Sequence, residues 1–131
     1  MGGLHISCGS FTGRDKSGSA IEGVLGALEN PPAGLVREIT SGFDSNDYIL
    51  ITPEQAAALL PFLVTYRTHL VAEIGHEDPF KAIAAEVAAG ADPTKAKWGG
   101  GRGWRLYCVD DLIVACEASG AEHQPIVVAY I

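Results

Sequence analysis

The feature that most constrains the fold is the helix start formed by Thr52-Pro53-Glu54-Gln55. Threonine caps a helix through its side-chain oxygen, proline suits the first helical position, and glutamine three residues after the threonine completes a capping box. We therefore predict a helix that begins at Pro53 and ends near Gly75, kinked where Pro61 lacks a backbone donor. The apolar residues expected to face the core are Leu59, Leu60, Leu63, Tyr66, Leu70, Val71 and Ile74.

Other helical segments show either apolar spacing or a proline start. From Ser19 onward, apolar residues recur every three or four positions, as on one face of a helix, until Asn30-Pro31-Pro32 ends the pattern. Asp78-Pro79 predicts a further helix that runs to Gly90. Asp92-Pro93 repeats the signal, so residues 94–97 are predicted to form one more turn.

β-branched and aromatic residues predict five strands, over residues 4–8, 35–40, 48–52, 104–109 and 124–131. A turn-like stretch separates the second strand from the third, which indicates a hairpin or two neighbouring strands. After the fourth strand, Asp110 is expected to cap a helix over residues 111–118. A single helix across 104–118 is the alternative interpretation.

The order of these elements, β-α-β-β-α-α-β-α-β, predicts an α/β (α+β) fold. We expect residues 1–131 to form a single globular domain with a mixed sheet of about four to five strands and helices mainly on one face. The apolar final strand is expected to lie inside the sheet or under a partner, because an exposed apolar edge invites aggregation. Pairing of that strand across a two-fold axis would make a homodimer.

Composition restricts the function. The chain has sixteen acidic and nine basic residues, and this net charge of −7 argues against general binding to nucleic acids or anionic membranes. The start of the chain lacks a signal-peptide pattern, and no apolar run approaches the ~20 residues of a membrane span. Three cysteines at spacings that match no zinc or redox motif indicate free thiols. We therefore expect a cytoplasmic protein without metal or cofactor.

Four of the nine basic residues and both tryptophans fall within residues 95–105, a stretch without a carboxylate. Cationic groups, flat rings and three consecutive glycines make this segment the leading candidate for a contact site. Trp104 is expected to belong to the core if it begins a strand. A flexible loop over one packed tryptophan is the alternative. The candidate binding residues are Lys95, Lys97, Trp98, Arg102 and Arg105.

A second candidate is the loop after the first strand, which contains Thr12, Arg14 and Lys16. It lies where a phosphate-binding loop would lie, between a strand and a helix. The P-loop spacing is missing, and Asp15 places a negative charge where an anion would bind. The two interpretations of this loop are an anion site and a solvated loop without a ligand.

The sequence contains no catalytic arrangement that we recognise, and we predict no catalytic or metal-binding residues. His5 and Cys8 are three residues apart on a strand, so their side chains point to opposite faces. His69 and Glu73 could share a helical face, but two ligands do not make a metal site.

Two functions follow as hypotheses. The first is a small acidic protein that binds and neutralises or regulates a protein partner without catalysis, as immunity, antitoxin or anti-defence proteins do. The alternative is a protein or enzyme that binds a nucleotide or a sugar phosphate. In that case the basic loops around Arg14 and Lys16 and around Arg102 and Arg105 would converge on one anion.

Overall fold

The computed structural model describes residues 4–14, 18–45, 47–93 and 101–130. Its elements, in chain order, are β1 (Leu4–Cys8), β2 (Phe11–Thr12), α1 (Gly18–Gly26), α2 (Leu35–Thr40), α3 (Gly42–Ser45), β3 (Tyr48–Ile51), α4 (Pro53–Ile74), α5 (Pro79–Ala88), α6 (Arg102–Glu122) and β4 (Ile126–Tyr130). The predicted α/β class is confirmed. None of these helices is both long and apolar enough to cross a bilayer.

The sheet contains four strands in the order β2-β1-β4-β3, and each described pairing is antiparallel. Ile6, Val128 and Ile49 lie side by side across its centre, and all three are buried. Burial alternates along β1 and β3, so one face of the sheet belongs to the core. The final strand is interior, as the sequence predicts. Both of its edges are already hydrogen-bonded, so it cannot pair with a second copy across a two-fold axis.

The capping box that predicts α4 is present. The Thr52 hydroxyl accepts the Gln55 backbone N–H at 3.1 Å, and the Gln55 side-chain oxygen accepts the Thr52 N–H at 2.9 Å. The helix ends at Gly75, which adopts the left-handed conformation with φ of 82°. Thus the prediction of both ends from local sequence is confirmed.

The segment Leu35–Thr40 is a helix, so the prediction of a strand there is wrong. The Thr40 hydroxyl donates to the Val36 carbonyl oxygen one turn earlier, which the Oγ1 of threonine can do inside a helix. Ile39 is buried, and α2 packs between α1, α3 and β3. These contacts override a β propensity that spans only about 1 kcal/mol.

The predicted strand over residues 104–109 is also wrong, because α6 runs unbroken from Arg102 to Glu122. Four consecutive residues near its start, Leu106, Tyr107, Cys108 and Val109, are buried. The helix packs against α1, α4, α5 and β1, so several of its sides are covered. A helix enclosed in this way has a continuous apolar run, which resembles a buried strand in sequence.

Gly103 allows α6 to approach α5 closely. A Cβ atom at this position would lie 2.7 Å from the backbone nitrogen of Ile83 and 3.0 Å from its Cα. The Gly103 N–H donates to the Glu86 carboxylate, which satisfies a free donor in the first turn of α6. This contact fixes the start of α6 against α5.

Candidate functional site

Four of the eight predicted binding residues, Lys16, Lys95, Lys97 and Trp98, lie outside the described residues. The other four line two clefts. Thr12 and Arg14 line the first, which we call the aromatic cleft. Arg102 and Arg105 line the second, which we call the charged cleft.

Helix α6 lies between the two clefts. Its residues Arg102 and Arg105 line the charged cleft, whereas Tyr107 and Asp111 line the aromatic cleft. Arg102 and Tyr107 are five residues apart, which at 3.6 residues per turn places their side chains about 140° apart around the helix axis. The small-molecule hypothesis expected the basic loops to converge on one anion. The described basic residues instead line two different clefts. They belong to two different surfaces.

The aromatic cleft has a volume of about 310 Å³. It is bounded by the end of the β1–β2 hairpin, the start of α5 and the middle of α6. Its lining residues are Phe11, Thr12, Gly13, Arg14, Pro79, Phe80, Tyr107, Asp110 and Asp111.

Three aromatic rings form a connected group beside this cleft. Phe80 meets Tyr107 edge to face with centroids 5.5 Å apart, and Tyr107 meets Trp104 in the same way at 5.6 Å. Trp104 is half-buried rather than fully in the core. Phe80 is 50% exposed, and the Arg14 guanidinium carbon lies 5.5 Å from its ring centroid. The cleft therefore already presents a ring face to a cation.

Helix α6 also contributes two carboxylates to the aromatic cleft. Asp110 accepts a hydrogen bond from the Nε of Arg67 at 2.5 Å, and Arg67 also donates to the Glu77 carbonyl oxygen at 3.3 Å. Asp111 lies against Gly13, where a Cβ atom would be 2.5 Å from its Oδ2. Glycine at position 13 thus lets the hairpin approach the Asp111 carboxylate closely.

The charged cleft has a volume of about 230 Å³ and lies between α4, the start of α6 and the segment after α1. Arg102 Nε lies 3.6 Å from Glu73 Oε2, and His69 Nδ1 lies 3.2 Å from Glu29 Oε1. Leu70 forms a buried part of its wall. The remaining lining residues are Ala27, Tyr66 and Arg105.

No group of three or more metal-ligand side chains occurs among the described residues. The helical pair His69 and Glu73 faces different partners, since His69 contacts Glu29 and Glu73 contacts Arg102.

The three cysteines are buried thiols outside any disulfide, and the environments of Cys8 and Cys116 oppose ionisation. Burial raises the pKa of Cys8, whose thiol donates to the Gln124 carbonyl oxygen at 3.4 Å. Burial raises the pKa of Cys116 to about 12. His5 contacts the Gly13 carbonyl oxygen at 3.1 Å. Because a nucleophilic cysteine needs a lowered pKa, these thiols suit packing and not catalysis.

Sequence reasoning missed Phe80, Tyr107, Glu29 and Glu73 as lining residues of the clefts. The position of Phe80 at the start of a short helix could have indicated a surface role, because an aromatic side chain there need not face the core. Glu29 and Glu73 are 44 positions apart in the sequence and line one cleft only because α4 lies beside the segment after α1. No local pattern could have joined them.

Neither a protein family, nor a curated protein, nor a solved structure matches this chain. The clefts and the surface charge are therefore the basis for proposing a function.

Proposed function

We propose that this protein is an acidic, non-catalytic binding protein that neutralises or regulates a protein partner with a basic surface, in the manner of immunity, antitoxin or anti-defence proteins. Its place of action is proposed to be the cytoplasm, which suits three free thiols. The observation that carries the proposal is the aromatic cleft, where a half-exposed phenylalanine and two carboxylates meet on a strongly acidic protein.

The charge of the described surface supports a basic partner. Asp15, Lys16, Lys95 and Lys97 lie outside the described residues, which leaves fifteen acidic and six basic side chains. Among these basic side chains, Arg67 contacts Asp110 and Arg102 contacts Glu73, so carboxylates of the protein itself offset part of the positive charge. An acidic surface accelerates encounter with a basic partner, and added salt reduces this effect.

The aromatic cleft supports a specific contact within that surface. Aromatic side chains in pockets contribute a large share of binding energy at protein interfaces. A partner's arginine or lysine could lie over the Phe80 ring, where Arg14 now lies, with Asp110 and Asp111 nearby. Arg14 would move aside or share the ring.

The experiment uses a fluorescent peptide of alternating arginine and glycine as the probe, with a citrulline–glycine peptide as the uncharged control. We expect the arginine peptide to bind, measured by anisotropy, with an affinity that falls as salt rises, and the citrulline peptide to bind far more weakly. Phe80→Ala should weaken binding at least tenfold. Val114→Ala removes a similarly exposed apolar side chain outside the cleft and should leave binding unchanged. Equal binding of both peptides, or equal effects of both variants, would contradict the proposal.

A further inference from the structure

The charged cleft combines two arginines and two glutamates around one small space. Arg102 and Arg105 come from the first turn of α6, Glu73 comes from α4, and Glu29 follows α1. The volume of about 230 Å³ is below the roughly 300–1,000 Å³ typical of sites for drug-sized ligands. The cleft therefore suits a small metabolite better than a nucleotide.

A ligand can replace the contact between Arg102 and Glu73 at the rim of the cleft. The contact between Arg102 and Glu73 is 3.6 Å long, and the two side chains are 62% and 58% exposed. Ion pairs this exposed contribute little to stability. A ligand that offers each side chain a new partner of opposite charge can replace this contact at little cost.

Tyr66 adds an independent observation. Its ring lines the cleft, and its hydroxyl oxygen is shielded from solvent and makes no hydrogen bond to any part of the chain that the structure describes. Buried polar groups in folded proteins nearly always have a hydrogen-bond partner, such as a water or a ligand. A molecule bound in the cleft would supply such a partner.

We propose that the charged cleft binds a small zwitterion of the α-amino-acid class. Arg102 and Arg105 hold its carboxylate, and Glu29 and Glu73 hold its ammonium group. With two arginines, two glutamates and His69, the cleft presents groups of both signs of charge, which matches a ligand that carries both charges. A phosphate dianion is opposed by the two glutamates, since like charges within a few ångströms repel. This binding does not depend on the protein partner proposed above.

The test uses L-alanine, two analogues that each keep one of its charges, and inorganic phosphate as probes. Propionate keeps the carboxylate, and ethylammonium keeps the amine. Isothermal titration calorimetry at millimolar concentration should show saturable binding of L-alanine, and a thermal-shift assay should show a matching rise in Tm. Propionate, ethylammonium and phosphate should each bind at least tenfold more weakly.

Two variants at exposed positions, where substitution should not disturb the fold, test which side chain binds the carboxylate and which binds the ammonium group. Arg102→Gln should weaken L-alanine at least tenfold and weaken propionate as well. Glu73→Gln should weaken L-alanine but strengthen propionate, because it removes a repulsive carboxylate. Arg37→Gln, at an exposed arginine outside the cleft, should change neither affinity.

The outcomes are distinct. If propionate or phosphate binds as tightly as L-alanine, the cleft is a simple anion site and the zwitterion proposal is wrong. If no probe binds to a chain that melts cooperatively, the proposal is likewise overturned. Neither outcome bears on the arginine peptide, whose contact is at the aromatic cleft.

Discussion

Replacing Gly103 by alanine should destabilise the protein, although alanine is the better helix former. The contact that decides this is with the backbone of α5, where the new Cβ would lie 2.7 Å from Ile83 N and 3.0 Å from Ile83 Cα. Backbone atoms cannot rotate away as a side-chain tip can. The two helices must therefore separate at the point where Glu86 accepts the Gly103 N–H.

The magnitude follows from two opposed effects. Alanine in place of a helical glycine gains up to about 1 kcal/mol. Overpacking of a close contact costs about 1–3 kcal/mol, and contact with backbone favours the upper end. The net loss in the free energy of unfolding should be about 2 kcal/mol, a large share of the roughly 5–15 kcal/mol of a typical domain.

Gly120 supplies the matched control on the same helix. It is exposed, and a Cβ there would meet nothing within 4 Å. Gly120→Ala should therefore stabilise the protein by about 0.5–1 kcal/mol. Urea denaturation followed by circular dichroism gives both free energies. If the two variants changed stability by the same amount, the close approach of α6 to α5 at Gly103 would be refuted.

Three further predictions concern local contacts. Thr52→Ala should lower the free energy of unfolding by about 1 kcal/mol in urea denaturation, because the helix cap is lost. Thr65→Ala, inside α4, should not lower it. Equal losses in the two variants would contradict the capping role. Tyr66→Phe should leave the free energy of unfolding unchanged or raise it by up to about 1 kcal/mol, since the hydroxyl makes no hydrogen bond to the described residues. A clear loss of stability would show that the hydroxyl has a hydrogen-bond partner. Burial raises the pKa of the Cys116 thiol from 9.0 to about 12. The contribution of this thiol to the free energy of unfolding is therefore complete below pH 9, and it falls by at most about 1.4 kcal/mol per pH unit up to pH 12. Urea denaturation across that range should show a shallower decline for Cys116→Ala than for the wild type, and parallel curves would argue against a buried thiol.

Local sequence signals predicted a large part of the fold. The capping box at Thr52 and the left-handed glycine at Gly75 determine the ends of α4, and Asp78-Pro79 determines the start of α5. These signals work because a cap satisfies backbone donors within one turn of its own position. The short apolar segment of β1 and the apolar run of β4 also sufficed to predict strands, since a strand buried on one or both faces is rich in apolar residues.

The two strands that were wrongly predicted share a physical cause. Residues 35–40 and 104–109 are rich in side chains that suit a strand, but tertiary packing decides their conformation. In α6 the packing covers several sides of the helix, so the 3.6-residue period of an amphipathic helix disappears. A continuous apolar run then has two valid interpretations, and only its neighbours in space select one.

The candidate site likewise has features that the sequence determines and features that only the tertiary structure decides. The sequence by itself named Thr12, Arg14, Arg102 and Arg105 as candidate binding residues and determined the acidic balance, because composition and local spacing are enough for both. Only the tertiary structure decided that these residues serve two clefts on different sides of α6, each completed by residues that are distant in the chain. Side chains far apart in sequence become neighbours through helix packing, and no short-range pattern records which helices will pack.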